Sequence, residues 1–222
     1  MKTTSLRIAA ATTVAGLVFA AGVVPAGAST SAPVASYTKA KCNQAINERL
    51  FILDISEQRI NNVRRLTAEQ KAAQIAGIDA VQAHLINVNR PALDAATTRS
   101  AIRAACQAIY TDNRVYAVVI PQLFASVRID EFGNAFEKFD PMVAEKKAAG
   151  ADTAAIEALV TSAKGHVDTA AALVSGITPD SFNADPTGTR AKFQQATDEL
   201  NAALGDMLRA IVAYRDLTVP TA

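Results

Sequence analysis

The side chains that most often form metal sites are scarce in this sequence. It has two histidines, His84 and His166, and each stands alone in its stretch of the chain. A zinc site on a helix needs a second His or Cys three or four residues away, and neither histidine has one. The Glu-x-x-His pair that holds di-iron centres in helical bundles is also missing. We therefore predict no metal and no cofactor.

The sequence also lacks the common catalytic motifs. No Gly-x-Ser-x-Gly nucleophile turn and no glycine-rich nucleotide loop occurs. Asp130 and Glu131 are adjacent acids without the spacing of a calcium-binding loop. A Ser-His-Asp triad can be assembled from distant residues, so an enzyme of unrecognised type stays open as a third hypothesis. The prediction is a protein that is not an enzyme.

Cys42 and Cys106 are the two cysteines of the chain. An even pair in an oxidising compartment is most simply one disulfide, with two buried free thiols as the alternative. In an up-down-up order of helices both residues lie toward the same end of the bundle, which favours the pairing. A redox role is not predicted, because there is no Cys-x-x-Cys spacing.

The first residues predict export. Lys2 and Arg7 precede an apolar run over 8–24, and Ala26-Gly27-Ala28 gives the small-x-small pattern that signal peptidase cleaves, before Ser29. A retained anchor is the alternative, but the run is shorter than the roughly 20 apolar residues that a membrane span needs. We predict cleavage after residue 28, no transmembrane anchor after processing, and a protein that is secreted or associated with the cell envelope.

The charge balance bears on the partner. The chain has 22 Lys and Arg and 21 Asp and Glu, and loss of Lys2 and Arg7 with the signal peptide leaves 20 basic against 21 acidic residues. Nucleic-acid binding needs a clustered basic excess, so it is not predicted. We expect a protein or another component of the cell envelope as partner, and the oligomeric state stays open.

Apolar periodicity predicts an all-α fold. After a Ser- and Pro-containing tail over 29–37, expected to be disordered, residues 38–217 read as one helical-bundle domain. Apolar residues recur every three or four positions from Thr38 to Leu66, which predicts a first helix more than about 40 Å long. The fold predicted from this and the later stripes is an elongated up-and-down bundle of five to six long amphipathic helices.

Capping residues divide the first half of the domain. Thr67-Ala68-Glu69-Gln70 is a capping box that begins a second helix right after the first, and Asn89-Arg90-Pro91 is expected to end it. A third helix is predicted from about Thr97 to Tyr110, followed by a turn at Thr111-Asp112-Asn113.

The second half has equally clear boundaries. The β-branched segment 115–120 could be a strand, but a lone strand has no partner, so we favour a buried start of the fourth helix with Pro121 in its first turn. Pro141 is expected to kink that helix. Gly150 and Gly176 then predict helix ends, Asp152 and Asp185-Pro186 predict helix starts, and 178–185 is expected to be a loop.

The fourth helix carries an aromatic stripe of Phe124, Phe132, Phe136 and Phe139. Such a stripe is usually part of a bundle core. If the bundle were open on that side, these four phenylalanines would form an interaction surface.

Segments of this sequence resemble two groups of known helical proteins. The segments around Lys41-Cys42, the Leu66–Gln70 junction and Arg114 to Gln122 resemble exported, coiled-coil-like helical proteins of actinobacteria and related bacteria, which bring no known activity. Leu66-Thr67-Ala68-Glu69-Gln70 alone is similar to the LTxxQ motif of small, all-helical, ATP-independent periplasmic stress chaperones, which usually carry two copies.

Three functions follow in order of preference. The first is an exported structural or interaction protein that binds a partner through its helical faces. The second is an ATP-independent chaperone, a holdase, acting outside the cytoplasm. The third is the enzyme of unrecognised type.

Overall fold

The computed structural model describes residues 37–218. The predicted signal peptide over 1–28 and the tail over 29–36 lie outside the described residues. Tyr37, which the sequence assigned to the disordered tail, packs against the core of the first helices. Tyr37 is therefore part of the packed structure.

The described residues form α-helices and two short π-helical segments, with no strand among them. The α-helices are α1 (Lys39–Asn62), α2 (Ala68–His84), α3 (Arg90–Ala95), α4 (Arg99–Thr111), α5 (Ile120–Ala148), α6 (Ala154–Ser175), α7 (Pro179–Ala184) and α8 (Pro186–Asp216). Leu85–Asn89 is the first π segment, and Val115–Val119 is the second. The all-α bundle is confirmed. The strand considered for 115–120 is not formed, and Pro121 lies in the first turn of α5.

Most predicted caps are present. Thr67 and Gln70 form the reciprocal capping box at the start of α2, in which each side chain accepts from the other residue's backbone N–H. The Asp185 carboxylate accepts from the N–H of Gly188 at the start of α8. Gly150 follows α5 with a φ of +87°, a left-handed conformation that favours glycine.

Three boundaries differ from the prediction. The first helix ends at Asn62, because the backbone of Val63 is extended. Leu66 is still buried in the core, but it lies in the linker that follows this helix. The second helix does not stop at Asn89-Arg90-Pro91 but continues through the first π segment into α3. There the N–H of Arg90 bonds to the carbonyl of Leu85, five residues back, and this wider turn brings the chain to a proline that has no N–H to give.

The segment 178–185 is the third difference, since it contains α7 instead of an open loop. Thr178 and Ser181 form a second capping box, Pro179 occupies the first turn, and Phe182 is buried. At α6 the Asp152 carboxylate does accept from the N–H of Ala154, but the cap position itself belongs to Thr153.

Side-chain contacts give the direction of each helix. Asn47 of α1 meets Arg90, and Asp54 meets Gln82, so α2 and α3 run back along α1. Arg49 meets Tyr110 of α4, and Asn134 of α5 meets the Arg65 carbonyl beyond α1, so α4 and α5 follow the direction of α1. The predicted turn at Asp112 therefore exists, but it does not reverse the chain.

Helix α6 runs back along α5. Lys147 at the end of α5 pairs with Glu157 near the start of α6, and Gln122 at the start of α5 bonds to the Val174 carbonyl at the end of α6. Helix α8 then follows α5, because Arg128 meets Asn201 and Phe139 meets Tyr214.

The buried side chains form two main clusters that share α5. The N-terminal half, which is α1 to α4 with the first turns of α5, packs around the first; its α5 members are Ile120, Leu123 and Val127. The C-terminal half, which is the remainder of α5 with α6 and α8, packs around the second; its α5 members are Phe136, Phe139 and Val143. The seam between the halves crosses the middle of α5.

Candidate binding site

A surface cleft lies on this seam, between the start of α2, the middle of α5 and α6; we call it the seam cleft. It is open to solvent and has a volume of about 490 Å³, within the range of small-molecule pockets. Its apolar lining is Ile129, Gly133, Phe136 and Val167. Its polar lining is Gln70, Asp130, Asn134, Glu137, Asp140, Lys164 and Asp168.

Hydrogen bonds fix one wall of the seam cleft. The buried Asn134 amide donates to the Arg65 carbonyl at 2.6 Å and to the Gln70 side chain at 2.7 Å, while Gln70 donates back to it at 3.3 Å. One turn further, Gln74 donates to Asp130 at 3.1 Å. The Leu66–Gln70 motif therefore caps α2 and also attaches it to α5.

The charges of the seam cleft are unequal. Four carboxylates, those of Asp130, Glu137, Asp140 and Asp168, face one ammonium, that of Lys164. Lys164 donates to Asp140 at 2.6 Å, and its nitrogen lies 5.5 Å from the centroid of the Phe136 ring. The cleft is therefore acidic and already surrounds one lysine head group with a carboxylate and an aromatic ring.

The predicted aromatic surface is not exposed. Phe136 and Phe139 belong to the second core cluster, each only 7% exposed. Phe132 packs against the same cluster, and its ring lies 6.1 Å from that of Phe136. Phe124 is half-buried against the first cluster. The four side chains are core and core edge: Phe132, Phe136 and Phe139 pack in the cluster formed with α6 and α8, and Phe124 packs against the first cluster.

The predicted disulfide is confirmed. Cys42 and Cys106 are bonded, with a Cα–Cα distance of 5.5 Å, and they join α1 to α4. Among the described residues no cysteine is free.

Close to the disulfide lies a buried arginine that the sequence gave no reason to single out. Arg49 is 6% exposed, and its guanidinium lies 4.3 Å from the ring centroid of Tyr110 and 5.4 Å from that of Tyr116. It donates to the Ala45 carbonyl at 2.8 Å, and its Nε atom has no hydrogen-bond partner in the described chain. Burial lowers the pKa of Arg49. The two tyrosine faces compensate part of that desolvation.

The two histidines have partners on other helices. His84 lies 3.5 Å from Asp112, which also accepts from the buried Asn89. The Nδ1 atom of His166 on α6 lies 2.5 Å from Glu199 of α8, and its Nε2 atom lies 3.8 Å from Asp206. Each histidine is alone in its own helix, as the sequence indicated, but in the fold it meets carboxylates that are 28 or more positions away in the sequence.

Asp206 is the buried member of the second group. The Ser162 hydroxyl first, and then Arg209 and His166, lower the pKa of its carboxyl group, while burial opposes them. This group connects α6 to α8.

In the range 37–218, no set of three or more His, Cys, Asp or Glu side chains is placed to hold a metal ion. No helix of that range is both long and apolar enough to cross a membrane.

Comparison with known proteins gave no relative. No protein-family model matches the chain, and neither a curated protein nor a solved structure matches it. The candidate site therefore stands on the geometry alone.

Proposed function

We propose that the chain is an exported, non-enzymatic binding protein of the cell envelope or the extracellular medium, and that its seam cleft binds a basic segment of a protein partner. The observation that carries this proposal is the combination of a concave apolar bed with four carboxylates and one ammonium.

A lysine-bearing segment fits this combination best. A lysine side chain has an apolar stem that can lie on the half-buried Ile129 and on the small exposed part of Phe136, and an ammonium that carboxylates accept. Aromatic faces add attraction for a cation within about 6 Å. An acidic partner would be repelled by the same rim, and a wholly apolar one would leave the carboxylates without partners.

The frame around the seam cleft also supports a binding role. The Gln70–Asn134 contact holds one wall, and the second core cluster holds the other. Because both walls are already ordered, little conformational entropy is lost when a partner binds. We also propose that α6 and α8 pair as a short antiparallel coiled coil, because their buried positions recur with alternating steps of four and three. Such a pair is a stiff support, as a scaffold requires.

The other two functions rank lower. A holdase needs an apolar surface that is exposed in the folded state, and the four phenylalanines do not supply one. An enzyme needs a nucleophile or a general base at a pocket. The carboxylates and the lysine of the seam cleft can act as bases, but its lining has no histidine, cysteine or serine, so it does not contain the Ser-His-Asp triad that the sequence left open.

Site-specific photocrosslinking tests the proposal in the cells that make the protein. A photoreactive phenylalanine analogue replaces Glu137 on the exposed rim of the seam cleft; the matched control replaces Glu145, which is exposed two turns further along the same helix. We expect one protein to be crosslinked from position 137 and not from 145, with a Lys-rich segment at the crosslink. Equal crosslinking from both positions, or crosslinking to a lipid or glycan, would contradict the proposal.

A further inference from the structure

The seam cleft already holds an ammonium of its own. Nζ of Lys164 lies 2.6 Å from Asp140, and the same nitrogen lies 5.5 Å from the Phe136 ring centroid. Phe136 and Asp140 are four residues apart on α5, so they stand one turn apart on the same face of that helix. We propose that Lys164 occupies the lysine-binding position of the free protein, and that a partner's lysine binds by displacing it.

A second ion pair between the same two helices shows what is particular about Lys164. Lys147 of α5 pairs with Glu157 of α6 at 2.9 Å, and the Lys147 side chain is 63% exposed, against 43% for Lys164. Lys147 is not a lining residue of the seam cleft, and among the described residues no aromatic ring lies under its nitrogen. Lys164 thus has the surroundings of a bound ligand, whereas Lys147 has those of an ordinary surface ion pair.

The exchange replaces each contact that Lys164 gives up. An incoming lysine takes the Asp140 carboxylate and the ring face, and the released Lys164 side chain has Asp168 within reach, four residues further along its own helix. The single ion pair of the free site, Lys164 with Asp140, becomes two when Lys164 moves to Asp168, so the net gain comes from that added pair, the other rim carboxylates and the apolar bed. Lys164 therefore lowers the affinity of the seam cleft and favours ligands that bring more than one positive charge.

This inference rests on the proposed function of the seam cleft as the binding site, and it makes a separate claim about Lys164. If Lys164 competes with the ligand, its neutralisation must strengthen binding. If Lys164 merely pairs with Asp140 without competing, neutralisation must leave binding unchanged.

The test is the affinity of the full chain for a fluorescein-labelled trilysine peptide, measured by fluorescence anisotropy at low ionic strength. We expect Lys164→Gln to bind about two- to fivefold more tightly than the wild type, the range that an exposed ion pair can supply. Lys147→Gln is the matched control and should bind as the wild type does. Asp140→Asn should bind more weakly, and a peptide with acetylated lysines should not bind. Circular dichroism melting curves check that each variant is folded.

The outcomes separate the two proposals. Lys164→Gln binding no more tightly than Lys147→Gln, with Asp140→Asn still weakened, would overturn the role of Lys164 and leave the cleft as the binding site. Trilysine binding that is unaffected by Asp140→Asn would place the cation elsewhere and overturn both.

Discussion

The N-terminal half and the C-terminal half of this bundle reach stability by different means. The N-terminal half contains the disulfide, both π segments and the buried Arg49. Several polar side chains bridge its helices, such as Asn47 with Arg90 and Asp54 with Gln82. Apart from α1, its helices are shorter than α6 and α8, so a covalent bond and specific polar contacts keep them in place.

The C-terminal half depends on regular apolar packing. Buried alanines recur every seven residues in α6, at Ala163 and Ala170, and in α8, at Ala196, Ala203 and Ala210, and each is at most 1% exposed. Small side chains at these positions let two long helices approach closely over most of their length. No cross-link is needed where the repeat itself aligns the helices.

The comparison explains where a binding site can form. Each half is ordered by its own contacts, and α5 passes from one to the other. At the crossing neither packing pattern continues, which leaves the seam cleft. Its position between two rigid parts is one that proteins commonly use for ligands.

The largest effect is expected from truncating the aromatic core. Phe136→Ala should cost about 3–5 kcal/mol in the free energy of unfolding, because it leaves a cavity in the second cluster. Phe51→Ala is the matched control, since Phe51 is 66% exposed and its loss should change stability by less than about 0.5 kcal/mol. Urea denaturation measures both. Equal costs would mean that the aromatic stripe is not core.

Loss of the disulfide should come next and should affect one half first. Replacing Cys42 and Cys106 with serine should cost about 2–4 kcal/mol, since the bond closes a loop with a sequence separation of 64 residues. Hydrogen exchange followed by mass spectrometry should show faster exchange in α1 to α4 and little change in α6 and α8. Uniform acceleration along the chain would show that the two halves unfold as one unit.

Overpacking tests the C-terminal half. Ala163→Leu should cost about 1–3 kcal/mol, because the α6–α8 contact has no room for a larger side chain. Ala158→Leu, at an exposed position of the same helix, is the control and should be nearly neutral. Melting temperatures compare the two. A neutral Ala163→Leu would mean that the close packing of alanines contributes little.

The smallest effect concerns acid. The pKa of Asp206 is lower in the folded chain than the value of about 3.9 in an unfolded one. Its stabilising contribution is therefore present above that unfolded value and is lost as the pH falls through the folded-state pKa.

Asp206→Asn should remove this part of the acid sensitivity, so its denaturation midpoint should change less than that of the wild type between about pH 5 and pH 2. Asp198→Asn, at an exposed position of the same helix, is the control. An Asp206→Asn variant with the same pH profile as the wild type would show that this carboxylate is not linked to folding.

Local chemistry made much of this fold predictable. Thr67 with Gln70, Asp185 with Pro186, and Gly150 satisfy backbone groups within a few residues, so their effect on helix ends is visible in the sequence. The Cys42–Cys106 bond was predictable because two cysteines allow one pairing.

The features that the sequence did not predict depend on tertiary contacts. The π segment before Pro91 keeps a helix going where the local pattern stops it, and the buried Phe182 stabilises α7 in a segment rich in turn residues. In the seam cleft, Gln70 contacts Asn134, which is 64 positions away in the sequence, and Lys164 contacts Asp140, which is 24 positions away. Neither contact can be predicted from a local spacing of residues. The partners of His166 come from α8 for the same reason.

Amide NMR mapping shows whether the seam cleft binds a basic segment. The ¹⁵N-labelled chain is titrated with the trilysine peptide, and the shifted amides are located. We expect shifts around Gln70, over 129–140 of α5 and over 164–168 of α6, with α1 and α4 unchanged. Shifts centred on α1 and α4, or no shifts at all at low ionic strength, would contradict it.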